Sequence, residues 1–211
     1  ANSLNFDDAL FLLHERGKAM QAAVPVGKGS MIAVLGIETA NINKIISETD
    51  LGKGVCEIAN DNAVGQVIVS GDKDCIQALQ IILKERKIKT IPLKVSAPFH
   101  CSLMKSAAAE MEKKINSTKF NDPSISIINN VTAKPEKNAE AIKALLIEQI
   151  YSAVKWRETL IKMSDNKVTK FIEIGPGKAL SGMVKRTIKN SNCFSINSIA
   201  DIKNLQNEIK K

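Results

Sequence analysis

Met31-Ile32-Ala33-Val34-Leu35-Gly36 is an apolar run that stops on a glycine, too short for a helix and dense enough to be buried on both faces. It predicts a strand. Working outward, residues 37–48 place Ile42, Ile45 and Ile46 on one helical face. Residues 55–60 and 66–70 read as two short strands joined by a turn rich in Asn, Asp and Gly. Asp72 stands where an N-cap belongs, ahead of a helix through residue 85 that buries Ile76, Leu79, Ile82 and Leu83. A strand over 90–95 closes the set. The order βαββαβ is the ferredoxin-like arrangement.

Around this segment the pattern changes. A helix is expected over residues 7–23 and, past Pro98, helices over 104–115, 139–150 and 157–166, one from Lys178, and a last one at the chain end. Strands are expected over 125–129, 171–174 and 194–196. Strands separated by helices imply a parallel sheet covered on both faces. The fold class is therefore α/β. A ferredoxin-like small lobe, residues 25–97, is inserted into a larger lobe made of residues 1–24 and 98–211. The two are expected to share a cleft near Val24 and Pro98, where the chain crosses between them.

Composition limits the function classes. With 211 residues, 44% hydrophobic and 25% charged, the chain can bury one sizeable core or two small ones, and its composition is not that of a disordered protein. No apolar run reaches bilayer length and no secretory leader opens the sequence, so a cytoplasmic protein with no membrane partner is expected. The chain opens on Ala1 rather than Met, almost directly into a helical pattern, which raises the expectation of a preceding segment. Cys56, Cys75, Cys101 and Cys193 are scattered, without metal-ligand spacing, and read as reduced thiols. A formal charge of +8 suits an acidic partner, although a solvated lysine surface would give the same balance.

Two side chains stand out. Arg16 shares its helical surface with Leu12, Leu13, Ala19 and Met20, and a guanidinium on an apolar stripe needs an anion. It either meets a carboxylate ligand, pairs internally with a Glu, or reaches out to water. His100 follows Val95-Ser96-Ala97-Pro98-Phe99 at the lobe boundary and is open to two readings, a general base, or a histidine that caps the next helix or is hydrogen-bonded in the core. Cys101 is adjacent, but neighbouring side chains diverge, so a Cys–His pair is not expected. His14 reads as a surface residue. Glu173-Ile174-Gly175-Pro176-Gly177-Lys178 reads as a strand-to-helix turn, since it fits neither glycine-rich phosphate-binding motif. No Gly-x-Ser-x-Gly elbow occurs in the sequence.

Taken together these segments resemble the malonyl-CoA:acyl-carrier-protein transacylases of bacterial fatty-acid synthesis. The resemblance rests on Glu15-Arg16-Gly17-Lys18-Ala19-Met20-Gln21, on residues 60–71 (NDNAVGQVIVSG) and on Ser96-Ala97-Pro98-Phe99-His100-Cys101-Ser102-Leu103-Met104. It continues through Asn129-Asn130-Val131, residues 149–156 and residues 173–182 (EIGPGKALSG). It implies an α/β-hydrolase-like large lobe and malonyl transfer from coenzyme A to the phosphopantetheine thiol of an acidic acyl carrier protein, through a malonyl-serine. His100 matches the family's base, and Arg16 the arginine that grips the malonyl carboxylate. Gln149 matches a residue whose backbone carbonyl orients the histidine, and Phe99 a position tied to acyl preference. Asn60 and Asn62 match a segment lining the acyl pocket, although Ala63-Val64 stands where Ser-Pro is common.

The resemblance also implies that the serine elbow and the oxyanion loop precede Ala1, so the 211 residues alone are expected to be catalytically silent. It implies no permanently bound cofactor, a coenzyme A thioester substrate and a monomer. Lys178, Lys185 and Arg186 are candidate carrier-docking residues. Two readings stay beside it: a non-catalytic fragment that binds carrier protein, and an acyltransferase of other acyl preference. RNA binding by the basic small lobe is disfavoured, because the strands over 31–36 and 66–70 hold no aromatic side chain.

Overall fold

The computed structural model describes residues 1–209. The chain forms two compact units, Ala1–Trp156 and Arg157–Lys211.

The first unit opens with α1 (Phe6–Ala22), capped by the Asn5 side chain, which accepts from the Asp8 N–H at 2.7 Å. Strands β1 (Gly29–Leu35), β2 (Cys56–Ala63), β3 (Gln66–Asp72) and β4 (Lys89–Pro92) form one sheet in the order β2-β3-β1-β4. Every pairing is antiparallel. Helices α2 (Thr39–Glu48) and α3 (Lys73–Glu85) complete the βαββαβ unit. Asp72 does occupy the position before α3, but its carboxylate does not cap that helix. It accepts the Val55 N–H at 2.6 Å and so fastens the start of β2.

Strand alternation gives the sheet two buried faces. On one, Ile32, Val34 and Val69 pack with Ile42 and Ile45 of α2 and with Ile76, Leu79 and Leu83 of α3. On the other, Met31, Ala33, Ala59 and Ile68 pack with Leu93 and Phe99 of the segment that follows β4. Phe99 also joins a helical core built from Leu12, Ala19 and Met20 of α1 and from Ala107, Ala108, Met111 and Ile115 of α4 (Lys105–Ser117). A single 3-10 turn, Ser102–Met104, leads into α4.

Two expected strands are shorter than the sequence suggests. Residues 93–95 leave the ladder after Pro92, with the Leu93 N–H still bonded to the Met31 carbonyl at 3.0 Å. The expected strand over 125–129 shrinks to β5 (Ile127–Ile128), paired with β6 (Pro135–Glu136). The Asn129 side chain takes the Val131 and Thr132 N–H groups at 3.1 and 2.9 Å and bends the chain there. Helix α5 (Ala139–Glu148) follows. Residues beyond it return to the sheet, where Val154 and Ala59–Asp61 exchange backbone hydrogen bonds of 2.8 and 2.9 Å.

The second unit holds the parallel pair β7 (Lys170–Ile174) and β8 (Asn192–Ile196), connected by α7 (Ala179–Thr187). Helix α6 (Trp156–Asp165) precedes β7, and α8 (Ile199–Ile209) follows β8.

The helix-covered face of the four-stranded sheet should dominate stability. Leu79 is 0% exposed, and Leu79→Ala should lower the unfolding free energy by roughly 2–5 kcal/mol in urea titrations. Ile81, on the same helix but 62% exposed, should change it by no more than about 0.5 kcal/mol as Ile81→Ala. Equal losses at the two positions would contradict this core.

Candidate active site

His100 leaves the sheet-covering segment on a turn with φ of +59°. That left-handed conformation costs a non-glycine residue roughly 1–2 kcal/mol, so its neighbours must hold it. Pro98 lies flat on Gly29, where an added Cβ would sit 2.3 Å from the Pro98 Cγ. Only glycine admits that approach. The Cys101 thiol donates to the Pro98 carbonyl at 3.1 Å and receives the Ser70 hydroxyl at 3.7 Å. Two residues past the histidine, the Ser102 N–H and hydroxyl both donate to Glu57, at 2.8 and 2.7 Å.

The imidazole Nδ1 lies 2.9 Å from the Gln149 backbone carbonyl. A carbonyl has no proton to give, so Nδ1 carries the hydrogen and the neutral ring offers its lone pair at Nε2. Gln149 caps the C-terminus of α5, where carbonyls lack intrahelical partners. Burial pushes the His100 pKa below its ordinary 6.5, the hydrogen bond to Gln149 opposes this, and the charge of Arg16 adds to the lowering. The ring is therefore neutral at neutral pH.

Arg16 is half-buried on α1, and burial lowers its pKa without discharging a guanidinium. Among the described residues no carboxylate pairs with it. The adjacent Glu15 is engaged elsewhere, by Lys114 of α4 and by Lys18 at 3.1 Å, and these lysines hold its carboxyl below the usual range. Lys114 is itself shared with Glu110 at 3.1 Å. Arg16 and Gln149 line one cavity of about 310 Å³, whose other walls are Leu4, Ala9, Leu12, Leu13, Met111, Ile115 and Leu146. An arginine with no carboxylate partner among the described residues, near a neutral imidazole of fixed tautomer, can bind a small acyl group that ends in an anion.

The other residues singled out in the sequence fall as follows. Phe99 wedges between the sheet and the helical core. Asn60 and Asn62 are half-buried in the stretch of β2 where its register with β3 shifts. Among the described residues no hydrogen bond joins either side chain to Arg16, His100 or Gln149. Cys101 is fully buried, and burial pushes its thiol pKa up, which suits an anchor and not a nucleophile. His14 is exposed, 3.9 Å from Glu15. In the second unit, the Gly177 N–H donates to the Asn197 side chain at 2.7 Å. Glu173 takes the Leu180 and Ser181 N–H groups at 3.0 and 2.8 Å, so the glycine turn is satisfied by its own chain.

The Glu57–Ser102 bracket escapes the sequence reading. Its one signal is positional: two residues ahead of Ala59 on β2, Glu57 belongs to a buried sheet face. Among the described residues no helix is long and apolar enough to cross a membrane, and no group of three His, Cys, Asp or Glu side chains is set to hold a metal.

Comparison with known proteins adds to this geometry. The malonyl CoA-acyl carrier protein transacylase of Haemophilus influenzae is 38% identical over 201 residues, covering 95% of this chain and 64% of that protein. The chain thus spans just under two thirds of the length of that curated relative. A crystal structure of an acyl carrier protein S-malonyltransferase from Vibrio cholerae superimposes with a TM-score of 0.92 at 39% identity, covering 97% of this chain and 67% of that one. A malonyl-transacylase in complex with a type II PKS acyl-carrier protein gives a TM-score of 0.92 at 34% identity, with 98% and 67% covered. Residues 1–210 match the acyl transferase domain model. With nearly its whole length inside that match, the chain belongs to the acyl transferase domain family.

Proposed function

We propose that this chain is the base-bearing and carboxylate-binding part of a malonyl-CoA:acyl-carrier-protein transacylase of fatty-acid synthesis. The observation that carries the reading is one assembly: His100, its Nδ1–H held by Gln149, beside an Arg16 that has no carboxylate partner among the described residues. No Gly-x-Ser-x-Gly lies in the 211 residues, so the serine nucleophile belongs to a segment outside them. His100 Nε2 takes the serine proton as Oγ attacks the malonyl thioester carbonyl, then returns it to the departing coenzyme A thiolate. The second half repeats the exchange. The carrier thiol gives its proton to His100 and attacks the malonyl ester, and serine leaves with that proton.

Arg16 grips the free carboxylate bidentately throughout, away from water. Phe99, Asn60 and Asn62 border the acyl group. Within that enzyme the lobes divide this chain at residues 25–97 and at 1–24 with 98–211. Malonyl-CoA and an acidic carrier protein are its partners, and the protein works as a cytoplasmic monomer without a bound cofactor. Lys178, Lys185 and Arg186 supply positive charge for the carrier.

Three measurements test this. In protein that joins this chain to the serine segment, His100→Ala should abolish labelling by radioactive malonyl-CoA, and unchanged labelling would remove His100 as the base. Arg16→Ala should reduce malonyl transfer far more than acetyl transfer, and equal losses would sink the carboxylate clamp. In the chain itself, the His100 imidazole should titrate below pH 6.5 by NMR, and Arg16→Gln should move the midpoint upward by removing a nearby cation. A midpoint that does not move would separate the two groups.

A further inference from the structure

We propose that Glu57 is a positioning residue for His100, holding the histidine turn in place from the edge of the four-stranded sheet; this rests on reading His100 as the base. Glu57 is half-buried on β2, and among the described residues no cation pairs with it. Its carboxylate oxygens accept instead from one residue, Ser102, through both N–H and hydroxyl, at 2.8 and 2.7 Å. Ser102 lies two positions beyond His100 and opens the 3-10 turn that leads into α4.

The register of the sheet makes this grip a paired one. Glu57 lies opposite Ser70 on β3, and Ser70 is fully buried with its hydroxyl on the Cys101 thiol at 3.7 Å. Two cross-strand neighbours thus catch two consecutive residues, Cys101 and Ser102, immediately after the histidine. The Ser70 contact is a weak hydrogen bond between neutral groups, whereas the Glu57 contacts are charge-assisted and bidentate. Glu57 is therefore the stronger of the two constraints.

The histidine needs such a constraint. At φ of +59° its backbone stays in a sparsely populated region only if the surrounding structure over-determines it. Pro98 on Gly29 fixes the turn before it, and the Glu57 bracket fixes the turn after it. With both ends fixed, Nδ1 meets the Gln149 carbonyl, and the lone pair is left on Nε2. With the far end released, the turn can relax toward ordinary φ values and carry the ring away from Gln149. Glu57 does not touch substrate in this scheme. It acts through the position of His100.

The competing account is that Glu57 merely caps the 3-10 turn and α4, and one set of variants separates the two. The primary readout is the Nδ1–H resonance of His100 in the ¹⁵N-labelled chain, which is slow to exchange while it is bonded to Gln149. Glu57→Ala should broaden or erase that resonance. Glu57→Gln, whose amide can accept from the Ser102 N–H and donate to its hydroxyl, should restore it. Ser102→Ala removes one leg of the bracket and should give an intermediate linewidth, which keeps the test open should Glu57→Ala fold poorly.

In protein carrying the serine segment, Glu57→Ala should lower kcat by up to ~10²-fold with little change in KM, as expected for a misplaced base. A cap without a positioning role would lower the melting temperature and leave the resonance and kcat intact. That outcome, or a wild-type resonance in both Glu57→Ala and Ser102→Ala, would overturn the proposal. Retained activity in His100→Ala would instead overturn the reading of the base, and the resonance would still report on Glu57.

Discussion

Because the Gln149 carbonyl can accept a hydrogen bond and never give one, the ring nitrogen 2.9 Å away must carry a proton. The useful tautomer of His100 is thereby fixed by backbone, without a titrating partner. An aspartate in that place would add a negative charge and raise the imidazole pKa. A helix-terminal carbonyl supplies orientation with only a partial charge, so burial prevails and the ring stays neutral. Much of the first unit serves this contact. Helix α5 must end at Gln149, the turn before α4 must begin at His100, and the chain after α5 must return to β2 through Val154.

The second electrostatic feature depends on a separation of partners along α1. Glu15 and Arg16 are neighbours in sequence but point to different surroundings, as adjacent residues on a helix do. Lys114 reaches across from α4 and takes Glu15, with Lys18 beside it. Had Glu15 been free to fold onto Arg16, the cavity would hold a neutral pair with no demand for an anion. The Glu15–Lys114 pair is part-buried, so desolvation offsets much of its attraction. It matters for what it leaves without a carboxylate partner among the described residues: a partly desolvated guanidinium among leucines, in the same cavity as Gln149.

Much of this was legible in the sequence, for reasons that particular residues show. The βαββαβ unit announces itself because its helices and strands have distinct periods, from the apolar run at Met31 to the i, i+3, i+7 spacing of Ile76, Leu79 and Leu83. Arg16 stands out by its apolar neighbours alone, but only geometry shows that Glu15 is occupied by a lysine 99 positions away in sequence. A base role for His100 rests on the family resemblance, since nothing local states that a carbonyl 49 residues on will meet its ring. Asp72 shows the reverse failure. Its N-cap position is plain in sequence, yet a long-range partner, the Val55 N–H, takes the carboxylate. The two short strands fail at Pro92 and Asn129, where side-chain chemistry overrides apolar content.

The sheet explains why those long-range partners converge. Its helix-covered face holds Ile32, Val34 and Val69 and could belong to any ferredoxin-like unit. The opposite face is mixed: Met31, Ala33, Ala59 and Ile68 form an apolar floor, with Ser70 and Glu57 at one end of it. A chain segment laid on a wholly apolar face would be held by packing and could slide. The polar end removes that freedom, because Ser70 and Glu57 each satisfy their hydrogen bonds only when Cys101 and Ser102 are in register with them. Buried polar groups left unpaired are costly, so a slip by one residue is penalised twice. Apolar contacts thus bring the His100 segment onto the sheet, and the polar pair decides where along it the histidine comes to rest.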